Sequence, residues 1–199
     1  MYDYTDIALK KRVWLGLIDM YHVSWIEFRG LYIKDALFSN GFYGQDAHNI
    51  IIENNYIDNC YNSGIGFLID GVQYETDQID PQDTALWTLN TNIVVRNNEL
   101  TRCNNGGWSE VISLEGVDGF EVSNNHLYHN LDGLKSSFWG GGGENINCKR
   151  SSRNGKVFGN TIHNSRRMGI YVEGWDGHCF NIEVYNNTIY SCQLGVSIA

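Results

Sequence analysis

Glu115, Lys149 and Glu173 are the residues around which chemistry could be built, although 34 and 24 residues separate them in the chain. Brought into one column, an ammonium between two carboxylates forms a coupled cluster whose protonation depends on what occupies it. The lysine is then a candidate base, and the glutamates are a candidate acid and base. Glu144, Asn147, Tyr171, Trp175, Asp176 and His178 lie near these positions, with Trp139 a little upstream. That mixture of carboxylate, amide and aromatic groups suits hydrogen bonding to, and stacking on, a sugar ring. The column exists only if some regular element brings distant residues into register.

A repeated phrase supplies the element. NIIIENNYID at 49–58, NIVVRNNELT at 92–101, GFEVSNNHLY at 119–128 and NIEVYNNTIY at 181–190 share one pattern, and a fifth copy starts at Asn154. The sixth residue after each start is Asn55, Asn98, Asn125, Asn160 or Asn187. Ile52, Val95, Val122, Val157 and Val184 fill one aliphatic position, and Ile57, Leu100, Leu127, Ile162 and Ile189 fill another. A degenerate copy begins at Trp25. Each phrase precedes a second alternating one, such as SEVISLEG at 109–116 or MGIYVEG at 168–174, so a unit holds at least two short strands joined by Asn/Gly turns. Fixed-period repetition of short strands predicts an all-β solenoid: a single-stranded right-handed parallel β-helix. Equivalent residues then stack about 4.8 Å apart, and the repeated asparagine is expected to form a ladder that satisfies backbone groups at a turn. Aligning the second strands puts Ile112, Ile146, Ile170 and Val196 in one inward column and Leu114, Cys148, Val172 and Ile198 in another. Ser113, Asn147, Tyr171 and Ser197 then fall between them on the outer side, and Glu115, Lys149 and Glu173 fall just beyond.

Composition agrees with this architecture. The chain has 199 residues, 22 glycines and a single proline, as a fold of many short strands and Gly/Asn turns requires. A net charge of −9 argues against a nucleic-acid partner, which needs a cationic face. No apolar run is long enough to predict a membrane-spanning helix. The five cysteines show no CxxC pair; Cys60, Cys103 and Cys192 all fall eleven residues after a phrase start and read as interior packing. We expect a single domain over residues 1–199, part of a longer chain, with insertions near 68–91 and 136–144 that could wall a binding groove. The second carries Phe138 and Trp139 beside a glycine run that lacks the phosphate-loop pattern.

The segment GENINCKRSSRNGKVFGNTIHNSRRMGIYVEGWDGHCFNIEVYNNTIY resembles bacterial right-handed β-helix repeat proteins of the pectate lyase-like superfamily, and the ladder covers the chain from about residue 23. More narrowly, Glu144 followed by Lys149 and Arg150-Ser151 resembles the E-x-x-x-x-K strand of polysaccharide lyase family 6. That resemblance implies Lys149 as a Brønsted base, Glu144 as a Ca²⁺ ligand, and an arginine in the next coil as the assisting acid. Arg167 is the available arginine, while the register places Glu173 where the family has its own. The leading expectation is therefore a lyase that cleaves an acidic polysaccharide by β-elimination, outside the cell or in the periplasm. Two alternatives stand beside it: a glycoside hydrolase using Glu173 with Glu115 or Asp176, and a non-catalytic carbohydrate-binding or adhesion β-helix.

Overall fold

The computed structural model describes residues 15–70, 87–107, 109–130, 142–174 and 177–199. The described residues wind as a parallel β-helix with three sheet faces, and every strand pairing along the stack is parallel. The first face is built from the N-terminal halves of β1 (Gly16–Arg29) and β3 (Asn40–Glu53), then β5 (Ile65–Leu68), β8 (Ile112–Glu115), β11 (Ile146–Lys149), β14 (Met168–Val172) and β17 (Leu194–Ile198). The C-terminal halves of β1 and β3 turn the corner and begin the second face, which continues through β6 (Asn90–Arg96), β9 (Val117–Ser123), β12 (Arg153–Phe158) and β15 (Phe180–Tyr185). The third face holds β2 (Tyr32–Ala36), β4 (Tyr56–Cys60), β7 (Glu99–Thr101), β10 (His126–Tyr128), β13 (Thr161–His163) and β16 (Thr188–Tyr190). Period-two alternation separates two strands per unit. The third escapes it because these strands are as short as three residues and follow the doubled asparagine directly, reading as the tail of the phrase.

Backbone conformation explains why asparagine recurs. Asn49, Asn54 and Asn59 have φ of 55°, 56° and 61°, and the next coil repeats this at Asn92, Asn97 and Arg102. Left-handed backbone is costly for most L-residues and is tolerated best by Gly and Asn. The corners therefore recur every five residues, mostly at Asn or Gly, with Arg102, His129 and Ser191 filling the third corner in other coils. Gly159 takes the corner filled by Asn124 and Asn186 in neighbouring coils, with φ of 66°.

The second asparagine of each pair points inward and forms a hydrogen-bonded column. The Nδ2 groups of Asn55, Asn98 and Asn125 donate to the Oδ1 of the next asparagine at 3.0 Å, and Asn160 donates to Asn187 at 2.9 Å. Each Oδ1 also accepts a backbone N–H from the preceding coil, and each Nδ2 reaches a backbone carbonyl such as Val95 O. Buried amides and backbone groups are thus satisfied together, each of which would cost about 1–3 kcal/mol unpaired.

The core lies inside the coil. Ile112, Ile146 and Ile170 pair in register and are fully buried, as are Leu114 and Cys148. Cys60 and Cys103 are buried, Cys192 is half-buried, and all five cysteines are free thiols. Large and small residues complement one another: Phe120 packs over Gly155, where an added Cβ would stand 2.1 Å from the ring. Ser113, Asn147 and Tyr171 lie on the outer side of their strands, yet all three are buried, so this part of the outer face is a covered polar layer.

Candidate functional site

The register of β8, β11 and β14 assembles the site. Lys149 pairs with Glu115, and the Glu173 N–H donates to Cys148 O at 2.9 Å, which sets Glu173 on the other side of Lys149. Lys149 Nζ donates to Glu110 Oε1 at 2.8 Å and lies 3.2 Å from Glu115 Oε1. Arg150 Nη1 donates to the other Glu115 oxygen at 2.5 Å. Arg167 Nη1 donates to Glu144 Oε1 at 2.6 Å and to Gly142 O at 3.2 Å. Asn147 Nδ2 donates to Glu173 Oε2 at 3.2 Å. The face is a network in which each cation already holds a carboxylate.

Three oxygens in this network are buried without a partner: Ser113 Oγ, Glu144 Oε2 and Asn147 Oδ1. Their residues are only 2%, 2% and 1% exposed. Buried polar atoms are nearly always paired, so three orphans on two adjacent coils mark a place where something else supplies hydrogen bonds.

The electrostatics of the two central groups differ. Burial pushes the Glu144 carboxyl above the usual glutamate range, the neighbouring Glu110 charge adds to that, and Arg167 opposes it. Burial would lower the Lys149 ammonium, but the charges of Glu110 and Glu115 overcome it and hold the lysine well above its ordinary range. Lys149 is therefore a cation at neutral pH, the opposite of what a general base requires. Nor do these residues fit a Ca²⁺ ion, which takes six to eight oxygens. Arg167 occupies one oxygen of Glu144, and Lys149 is bonded to the neighbouring Glu110.

Glu110, the nearest carboxylate to Lys149, was not singled out by sequence reasoning. The signal was available, because Glu110 precedes the inward Ile112 by two residues as Glu144 precedes Ile146. Arg167, the arginine available for the assisting role, is paired in the structure with Glu144. His178 belongs elsewhere: it lines a recess of about 350 Å³ with Trp87, Leu89, Ser151, Arg153 and Phe180. Trp139, Trp175 and Asp176 lie outside the described residues.

A family model described as disaggregatase related matches residues 23–141, more than half of the sequence. The chain belongs to the disaggregatase-related family. No curated protein matches the sequence. Among solved structures, the chain is similar to the Streptococcus pneumoniae surface protein and adhesin PfbA, at 13% identity and a TM-score of 0.41 over 92% of this chain. The alignment spans 63% of that structure's length.

The disaggregatase-related segment contains Glu110, Ser113 and Glu115, whereas Glu144, Asn147, Lys149 and Arg167 lie C-terminal to it. The same segment carries a second concave surface on the corner between the second and third faces. It is an open groove of about 470 Å³ lined by Asn54, Tyr56, Asn97, Glu99, Asn124 and His126. Beside it, Tyr128, His163 and Tyr190 stack one above another, with centroids 5.6 Å and 4.7 Å apart. His126 Nε2 meets His163 Nε2 at 2.9 Å. Sequence reasoning assigned this stripe no role, because its members occupy one position of separate phrases and meet only through stacking of successive coils.

Proposed function

We propose that this chain is a polysaccharide-binding β-helix protein whose ligand lies on the first face, over the polar layer of Ser113, Glu144 and Asn147, with water carrying hydrogen bonds to their buried oxygens. The observation that carries the reading is the set of three buried, unpartnered oxygens in adjacent coils. A sugar hydroxyl donates to a carboxylate or amide oxygen and meets a serine hydroxyl in either role. A ligand that holds such bridging water in place would thus remove a penalty of about 1–3 kcal/mol per orphan. Because Lys149, Arg150 and Arg167 are each held by a glutamate, the face presents acceptors more than free cations. It therefore favours a hydroxyl-rich glycan over a polyuronate. A polysaccharide ligand suits a protein acting outside the cell. No helix among the described residues is long and apolar enough to cross a membrane.

Affinity electrophoresis against neutral glucans and galactans, alginate, pectate and chondroitin tests this. At least one neutral polysaccharide should retard the protein. Asn147→Ala and Glu144→Gln should each weaken that retardation by about tenfold, the equivalent of roughly 1.4 kcal/mol. Unchanged mobility with every polymer would remove the reading.

Cleavage is a second use of the same face, favoured by one observation: a glutamate held towards its neutral form by burial is suited to donate a proton to a glycosidic oxygen. Release of reducing ends at saturating polymer that Glu144→Gln abolishes and the similarly weakened binder Asn147→Ala retains would identify hydrolysis. Elimination, the expectation drawn from the Glu144–Lys149 spacing, requires Lys149 to lose a proton that Glu110 and Glu115 hold in place. Absorbance at about 235 nm, the mark of unsaturated uronate from base-driven elimination, is expected to stay flat.

A further inference from the structure

The first corner of the coil carries a donor set separate from the face described above. His22, Asp46 and Asp70 recur at intervals of 24 residues, one coil apart. His22 and Asp46 fall between the paired residues Tyr21↔Gln45 and Val23↔Ala47, and Asp70 lies two residues after Leu68, the partner of Gln45. Three successive coils thus each present one potential ligand at the same corner. A ring nitrogen of His22 and one carboxylate oxygen each from Asp46 and Asp70 all lie within 4.8 Å of one another. Some point therefore lies within about 2.8 Å of all three, and side-chain adjustment of under about 1 Å reaches the 2.0–2.2 Å of zinc ligation.

The surroundings are those of a supported site. His22 Nδ1 bonds one oxygen of Asp46, and His48 Nε2 bonds the other at 2.8 Å. His48 is fixed in turn by Thr91 Oγ1 at 2.8 Å. Gln45 Nε2 donates to Asp70 Oδ1 at 3.0 Å and to Ile69 O at 3.2 Å. Each carboxylate is oriented by a neighbour, as outer-shell partners orient metal ligands.

We propose that His22, Asp46 and Asp70 bind a divalent transition-metal ion of the zinc type. Donor chemistry decides the class: an imidazole nitrogen with two carboxylates suits zinc and its neighbours, whereas calcium takes six to eight oxygens. The ion would tie three successive coils together at one corner. With three protein donors it retains a coordination position open to solvent or ligand.

The full chain, stripped with chelator and dialysed against Zn²⁺, should hold one tightly bound ion by elemental analysis. Co²⁺ in its place should give a visible absorption band. His22→Ala and Asp46→Asn should abolish both signals. Asparagine accepts the left-handed backbone at position 46, where φ is 50°, and circular dichroism checks the fold of each variant. His48→Ala should weaken binding by about 10–100-fold. The His126–His163 pair is the competing location. Zinc uptake that survives in a folded His22→Ala variant, or that is lost in His126→Ala instead, would overturn the assignment, as would absence of uptake by the native chain.

Discussion

The two asparagines of each doubled pair are neighbours with opposite tasks. Asn124 supplies a left-handed corner, with φ of 53°, and its role is conformational. Asn125 lies inside the coil and takes part in a hydrogen-bond column: its Oδ1 accepts from Asn98 at the backbone and side chain, and its Nδ2 donates to Val95 O and Asn160 Oδ1. Adjacent substitutions should therefore differ sharply. Asn124→Gly is expected to leave stability within about 0.5 kcal/mol, because glycine accepts the same φ. Asn125→Ala orphans several buried groups and should cost about 2–4 kcal/mol. Urea denaturation of the two variants checks this, and equal losses would show that the doubled asparagine is one unit. The repeat made both residues visible, but which of the two turns the chain and which ties the coils together was settled by φ and by the hydrogen bonds.

Strands in this fold gain stability from the coil above and below, so their side chains must match across coils as well as within one. Gly155 of β12 pairs with Phe120 of β9, and the ring occupies the volume a side chain at 155 would need. Gly155→Ala should destabilise by about 1–3 kcal/mol through overpacking. Phe120→Leu in that background should recover part of the loss, and failure to recover would place the cost of Gly155→Ala in the backbone. This pairing was only partly readable from sequence. The phrase shows an aliphatic slot one residue after its start, filled by Ile50, Ile93 and Ile182, and a glycine at 155 looks like a defect there. The same slot holds Phe120 one coil earlier, and only the packing shows that its ring fills the space over Gly155.

At the scale of the molecule, the described strands pair only with those of the coils directly above and below, so energetic coupling through the stack should be short-ranged. Double-mutant cycles test this directly. Asn98→Ala with Asn125→Ala, on adjacent rungs, should couple by about 0.5–3 kcal/mol. Asn55→Ala with Asn187→Ala, four rungs or about 19 Å apart, should add within about 0.5 kcal/mol. Strong coupling across the longer separation would indicate a stack that folds as one rigid column. The same geometry gathers residues scattered along the sequence at one place: Glu110, Lys149 and Arg167 on the first face, and His22, Asp46 and Asp70 at a corner.

The sequence by itself determined the solenoid, its phase and the column containing Glu115, Lys149 and Glu173. A parallel stack copies one residue pattern once per coil, and a pattern copied five times can be counted. Only the tertiary structure decided the chemistry of that column. Which glutamate accepts the Lys149 hydrogen bond, which oxygen of Glu144 faces Arg167, and which polar atoms end up buried and unpaired depend on side-chain reach and burial between coils. Those vary from rung to rung while the backbone repeat stays the same.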